Sequence, residues 1–497
     1  PLFTFLYADL HAHLIAIVLT AAAIAWTLSI LLKKWQWKAG WAGGLEMGST
    51  LVVGGLLIGA LRPTNTWDFP TYLILAGLVV FYTSYRYGRL AENFLPALSE
   101  GLRRWLLAGL WVILFAGLAV LFYQPFARWF GQAYAALDVY KGERSAFWSY
   151  ITHWGLFLFV LLSWFVHESL DWMKTTPASR LSVLKPYKAL IQFLVVLFLL
   201  AVVFLTLQKI FIGWLVLGMA CWALVLMLRP RLPETKRLAL FMVGTALTIT
   251  LVVELVTLRG DLGRMNTVFK FYLQAWAMFA VSSGAALVWL IPEISKWRKP
   301  LWKTAWMVGL VLLVGAAAWF PLLGGSDKIK DRINSLAPHT LDGMTYMAYS
   351  TYNDQGVELD LSQDYRAIRW MQENVKGSPV IVEGNAPEYR WGSRFTIYTG
   401  LPGVVGWNWH QRQQRAVLAV DWVWPRVDEV NNFYNGVDPQ AARSFLEKYD
   451  VKYIVVGQME AVYYTREGLA KFDALNGVYW KEVYREQNTV IYEVIQQ

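Results

Sequence analysis

Ten apolar runs limit what this chain can fold into. They lie at about 10 to 32, 48 to 61, 70 to 85, 104 to 124, 150 to 168, 187 to 206, 210 to 228, 238 to 257, 271 to 291 and 302 to 320. Several approach the roughly 20 residues that carry a helix across about 30 Å of hydrocarbon. Backbone polar groups inside a bilayer must be satisfied within the segment, so the expected architecture is a polytopic α-helical membrane protein. A content of 56% hydrophobic residues with 27 Trp fits repeated spans better than one soluble core. The second and third runs are short and flank Arg62-Pro63-Thr64-Asn65-Thr66-Trp67-Asp68-Phe69-Pro70. Its two prolines disfavour an uninterrupted helix, which predicts two shortened helices meeting at a polar turn, with a re-entrant pair as the alternative.

Charge orients these runs. The net charge is +10, but residues 1 to 325 carry 27 Lys/Arg against 13 Asp/Glu, and residues 326 to 497 carry 18 against 22. The basic excess belongs to the membrane part, so nucleic acid is not an expected partner. Basic residues gather in every second loop, as at Lys33/Lys34/Lys38, Arg86/Arg89/Arg103/Arg104 and Arg229/Arg231/Lys236/Arg237. By the positive-inside rule these loops are cytoplasmic. The opening segment and the region after residue 325 are then extracytoplasmic, in a multi-pass protein of the plasma membrane. The chain opens at Pro1 without a Met, so a fragment of a longer chain is expected. The single Cys221 rules out an internal disulfide and a zinc-type cysteine framework.

The division expected is a transmembrane domain over 1–325 and an α/β domain over 326–497. In the second, β-type runs at Pro379 to Val382, Phe395 to Tyr398, Tyr453 to Val456 and Thr489 to Val494 alternate with helical patterns at Tyr365 to Asn374, His410 to Val420 and Pro439 to Tyr449.

Chemistry-bearing motifs fall in the loops assigned to the outer face. In Tyr7-Ala8-Asp9-Leu10-His11-Ala12-His13, an extended backbone points Asp9, His11 and His13 the same way, which suits a divalent metal ion or proton transfer. On a helix the two histidines would lie about 200° apart. The plainer reading is a capped helix start. Asn65, Trp67 and Asp68 form a second polar cluster, or only a capped turn with an interfacial Trp. Glu254 lies in a span, seven residues before Asp261, and either serves a site or pairs with Arg259 or Arg264. Arg264 and Lys270 suit a phosphate, whether of a substrate or of a membrane lipid. In the soluble region, Glu388 to Arg394 and Gly406 to Arg415 interleave arginines with tryptophans. Arg390, Arg394, Trp407, His410 and Arg412 there would suit an anionic glycosylated ligand, or an interface with the membrane part. No nucleotide-binding signature occurs, so no nucleotide cofactor is expected.

Asp9-Leu10-His11-Ala12-His13, Asn65-Thr66-Trp67-Asp68-Phe69-Pro70, Gly260-Asp261-Leu262-Gly263-Arg264-Met265-Asn266-Thr267 and the Tyr389 to Arg415 stretch together resemble the uncharacterised YYY membrane-protein family. Members usually have Pro where Ala12 stands, and the upstream tyrosine run that names the family is absent here. More distantly, the arrangement is similar to C-type (GT-C) membrane glycosyltransferases, and Asp9-x-His11 occupies a place like that of the Asp-x-His motif of protein O-mannosyltransferases. This resemblance implies transfer of a sugar from a polyprenyl-phosphate-linked donor to an extracytoplasmic glycan, lipid or protein acceptor. It implies Asp9, Asp68 or Glu254 as catalytic carboxylates and Asp9, His11 and His13 as metal ligands. Arg62, Asn65, Trp67, Asp261, Arg264, Asn266 and Lys270 would hold substrate or its lipid phosphate. The alternatives are a non-enzymatic scaffold that binds an envelope polymer or another membrane protein, and a lipid or solute transporter, whose polar sites belong nearer the midplane.

Overall fold

In the computed structural model of the chain, the structure describes residues 2–7, 11–38, 40–89, 95–131 and 136–495. Two compact units result, Pro1–Ala127 with Tyr134–Ser326, and Arg128–Ala133 with Asp327–Gln497.

The first unit is helical. In order it contains α1 (Leu2–Tyr7), α2 (Ala12–Lys33), α3 (Gly40–Gly59), α4 (Leu61–Thr64), α5 (Asp68–Tyr87), α6 (Glu100–Leu121), α7 (Gln124–Trp129, which runs on into the second unit), β1 (Leu137–Val139) and α8 (Phe147–Thr175). A 3-10 turn at Ala178–Tyr187 leads to α9 (Lys188–Leu207), α10 (Ile212–Met227), α11 (Glu234–Leu255), β2 (Val256–Leu258), α12 (Met265–Ser295) and α13 (Pro300–Arg332, which runs on into the second unit). A helix stands at each of the ten apolar runs. Among the described residues, eight helices are long and apolar enough to cross a membrane. Ile212–Met227 is shorter, at 16 residues, and Asp68–Tyr87 falls outside the eight because its Asp, Thr and Tyr residues lower its hydropathy.

The two shortened helices do not occur. α3 and α5 have 20 residues each, because α3 begins at Gly40, before its apolar run, and Pro70 sits in the opening turn of α5, where a missing N–H removes no intrahelical bond. Only the polar turn between them stands as expected. Close approach of α3 and α6 depends on glycine, since a Cβ on Gly59 would lie 2.5 Å from the Ala119 carbonyl. Trp154, Trp164, Phe165 and Phe279 are fully buried in the core between the helices.

The second unit is α/β. A 3-10 turn (Thr345–Tyr349) precedes the hairpin β3 (Thr351–Asp354) and β4 (Val357–Asp360), then α14 (Leu361–Asn374) and β5 (Val380–Val382). There follow α15 (Arg394–Thr399), α16 (Asn408–Gln414), α17 (Val423–Asn435), α18 (Pro439–Lys448), β6 (Val451–Val456), α19 (Gln458–Tyr463), α20 (Arg466–Ala474), β7 (Trp480–Glu486) and β8 (Thr489–Val494). The sheet order is β5-β6-β8-β7, with β5 and β6 parallel and the remaining pairs antiparallel. Phe395 to Tyr398, expected as a strand, is helical in α15. The Glu383 carboxylate accepts the Phe395 and Thr396 amides at 3.0 and 2.8 Å and so caps the helix start.

Candidate functional site

Asp9 lies outside the described residues. His11 is the N-cap of α2, with extended backbone at φ −65° and ψ 140°. The helix therefore begins at Ala12, one residue inside the motif, yet the two histidines still act as a unit because His11 is not helical. Their rings stack at 4.8 Å and 17°, and their Nδ1 atoms are 2.9 Å apart. His11 Nδ1 also accepts the His13 amide at 3.5 Å, which assigns the shared proton to His13 Nδ1 and leaves His13 Nε2 as a bare lone pair. That atom is buried with no hydrogen-bond partner among the described residues.

Beside it stands the α4–α5 turn. Asp68 is 1% exposed; its Oδ2 accepts Asn65 Nδ2 at 3.0 Å, and its Oδ1 is buried without a hydrogen-bond partner among the described residues. Gln274 on α12 donates to the Trp67 carbonyl at 2.9 Å and accepts Thr71 Oγ1 at 2.6 Å, tying α12 to the turn. Phe269 packs on His13 at 4.4 Å and Phe271 on Trp67 at 5.5 Å. Lys270, between these two phenylalanines in sequence, lies within electrostatic reach of both His13 and Asp68. Among the described residues it has no ion-pair partner. The openings of α2, α5 and α12 thus bring together His11, His13, Asn65, Trp67, Asp68 and Lys270. The guanidinium of Arg62, on α4, likewise has no partner among the described residues.

Of the expected metal ligands, Asp9 lies outside the described residues, and the two imidazoles, bonded to each other through Nδ1, keep only their Nε2 atoms for an ion. Among the described residues, no group of three or more His, Cys, Asp and Glu side chains could hold a metal.

Glu254 and Arg264 take the structural alternative. Glu254 is fully buried and pairs with Arg264 at 2.7 Å. Arg264 also bonds the Val253 carbonyl at 3.1 Å and Ser145 Oγ at 2.9 Å, and lies 4.8 Å over the Tyr140 ring. The Ser145 amide donates to Glu254 Oε2 at 3.0 Å, and Arg144 bonds the Glu254 carbonyl. Arg264 thus braces this loop, with Glu254 as its counter-charge. Arg259 turns instead to Asp138 at 3.1 Å, next to the β1–β2 pairing. Asp261 caps α12. It accepts the Asn266 amide and side chain at 3.1 and 3.0 Å, and the Thr267 amide and hydroxyl at 2.8 and 2.7 Å. Burial pushes the Asp261 carboxyl up, but these hydrogen bonds outweigh it and hold it below the ordinary value. Asp261 and Asn266 are thereby spent on the helix start.

In the second unit Arg394 is 1% exposed, which removes it from ligand binding. It pairs with Asp364 and Glu460, both at 2.8 Å, and with Glu383 at 3.6 Å. Burial pushes Asp364 and Glu383 above their ordinary values; Glu460 is pushed up too, but Arg394 and amide donors return it below. Arg412 pairs with Asp421 at 2.7 Å. Arg390, Trp407 and His410 do come together, in a cleft formed by residues 385–390, 392, 393 and 406–410. Sequence reasoning missed Ser145, Arg144, Gln274 and the three carboxylates around Arg394. Glu383, directly after an apolar run, was the one with a sequence signal.

A family model described as an uncharacterized membrane protein (DUF2298) matches residues 1–279. No protein with a curated description matches the sequence. Among solved structures, the crystal structure of the Archaeoglobus fulgidus oligosaccharyltransferase tethered with an acceptor peptide aligns over 98% of this chain, at 11% identity and a TM-score of 0.34. The alignment covers 56% of that protein, so the chain spans little more than half its length.

Proposed function

Because the chain belongs to the DUF2298 family of uncharacterized membrane proteins, whose description carries no activity, we propose a function from its site. On this reading it is a membrane glycosyltransferase that moves a sugar from a polyprenyl-phosphate-linked donor to an extracytoplasmic acceptor. The observation that carries the reading is a buried carboxylate oxygen, Asp68 Oδ1, without a hydrogen-bond partner among the described residues, near a cation, Lys270, that has no ion-pair partner among them, and near the buried His13 Nε2. Buried groups left in this way need an explanation, and a ligand supplies one.

The residues divide the work as follows. An acceptor hydroxyl attacks the anomeric carbon, the bond from that carbon to the phosphate oxygen breaks, and the hydroxyl proton passes to Asp68. Lys270 stabilises the charge that grows on the departing lipid phosphate. His13 Nε2 accepts a hydrogen bond from an acceptor hydroxyl, with its tautomer fixed by His11. No step is routed through a metal.

The test is mass spectrometry of the lipids that copurify with wild type and with Lys270→Ala. Enrichment of a polyprenyl phosphate or its glycosylated form in wild type, lost in the variant, is expected. Bulk phospholipid alone, equal in both, would sink the donor assignment. The competing reading, an envelope-binding scaffold, draws on the exposed aromatics of the second unit, and it predicts that cells carrying Asp68→Asn keep their glycan profile.

A further inference from the structure

The cleft of the second unit has features that the proposed transfer leaves unused. Its loops leave the carboxyl edge of the sheet. Residues 383–393 follow β5, and residues 405–410 follow Gly403, which bridges Ile381 in parallel, with the Ile381 amide bonded to the Pro402 carbonyl at 2.9 Å. In open α/β sheets this edge is where ligands bind.

The first loop is held at both ends by buried charge. Glu460 accepts the Gly384 and Gly457 amides at 2.8 Å each and grips Arg394, while Glu383 caps α15. Between these anchors Tyr389 and Ser393 adopt left-handed φ values of 61° and 59°, a conformation that costs a non-glycine residue about 1 kcal/mol or more and gathers at functional sites. The strain presents Tyr389 at 74% exposure, edge-on to Trp407 at 6.5 Å and to His410 at 6.0 Å, and Trp407 and Trp409, 43% and 42% exposed, line the same cleft. Trp407 is not loose. It stacks on His410 at 5.4 Å and 28°, and its indole N–H donates to the Gly392 carbonyl at 3.4 Å.

Polar groups stand at the rim. Asn385 spends its amide and carbonyl on Tyr464 and its Oδ1 on Asn408, leaving Nδ2 as a donor without a partner among the described residues. Arg390 is half exposed, 3.7 Å from the buried Asp354, and Glu388 supplies a second carboxylate. With Arg394 sequestered and Arg412 paired, the cleft is close to charge balance, which departs from the anionic ligand expected from the arginine spacing.

We propose that this cleft binds a neutral oligosaccharide. A pyranose has a flat face of C–H bonds and a rim of hydroxyls. Rigid aromatic faces with a few fixed polar groups match both, at low entropic cost. The proposal concerns this unit alone and stands whether or not the membrane unit transfers a sugar.

The test is titration calorimetry on the full chain in nanodiscs with mannotriose, chitotriose, cellotriose, maltotriose and trigalacturonate. At least one neutral trisaccharide should bind, and Trp407→Ala and Tyr389→Ala should each weaken it tenfold or more. Both side chains are exposed, so unfolding temperatures within 2 °C of wild type are expected and establish that the variants fold. Absence of binding by all four neutral sugars, binding unchanged in both variants, or a tenfold preference for trigalacturonate would overturn the proposal.

Discussion

Arg394→Met keeps the stem of a buried side chain and removes its charge. In wild type the guanidinium reaches Asp364 and Glu460 at 2.8 Å and Glu383 at 3.6 Å, and these carboxylates are at most 6% exposed. Breaking a buried pair from one side costs about 3–5 kcal/mol, because the partner charges stay buried without compensation. For a unit of this size each kcal/mol lowers the unfolding temperature by about 2–4 °C, so a loss of about 6–20 °C is expected. The sign of the pH dependence follows from the carboxyls. Asp364 and Glu383 are already raised above their ordinary values by burial, and loss of the cation raises them further. Between the ordinary value and the raised value the folded state binds more protons than the unfolded one, so stability falls as pH rises through that window. The gap between variant and wild type should thus narrow from pH 7.5 toward pH 5. Hydrogen exchange of the intact chain is the assay, read at the Gly384 and Gly457 amides that Glu460 holds. Unchanged protection of both amides, or a gap that does not shrink in acid, would refute the electrostatic brace.

Two further outcomes are accessible to the same chain. Asp261→Ala should destabilise the start of α12 by about 0.5–2 kcal/mol. The Asp261 contribution is present above the ordinary carboxylate value and lost as pH falls through the lowered one, so hydrogen exchange at Asn266 and Thr267 should show the wild-type advantage disappearing in strong acid. Lys471, buried against the carbonyls of Phe433, Tyr434 and Gly468, is pushed down to about 8 by burial. Unfolded chains bind the extra proton between about 8 and about 10.5, so wild-type stability should rise with pH across that window; Lys471→Met should abolish the rise in a thermal-unfolding series.

Much of the fold was legible because hydrophobic runs long enough to cross a bilayer leave few other solutions. The errors were local. Pro63 and Pro70 read as breakers because their place in the first turn cannot be told from the residue type alone. Phe395 to Tyr398 has the composition of a strand, and a carboxylate twelve residues earlier decides otherwise. At the site, His11 and His13 were found by spacing and Asp68 by its company. The sequence left Glu254 between Arg259 and Arg264. The choice depends on Asp138, 121 residues away, which takes Arg259. Arg394 read as a ligand contact for the same reason, since two of the carboxylates that sequester it lie 30 and 66 residues off.

The length of α12 carries a consequence for membrane depth. Its 31 residues extend about 46 Å at 1.5 Å per residue, against a hydrocarbon layer of about 30 Å. Standing upright it extends about 16 Å beyond the oily layer, and half of that at each end puts Lys270, five residues from the start of the helix, close to the boundary where headgroup phosphates lie. A lipid-borne phosphate could then reach the lysine by lateral diffusion, its tail never leaving the bilayer and its charge never entering it.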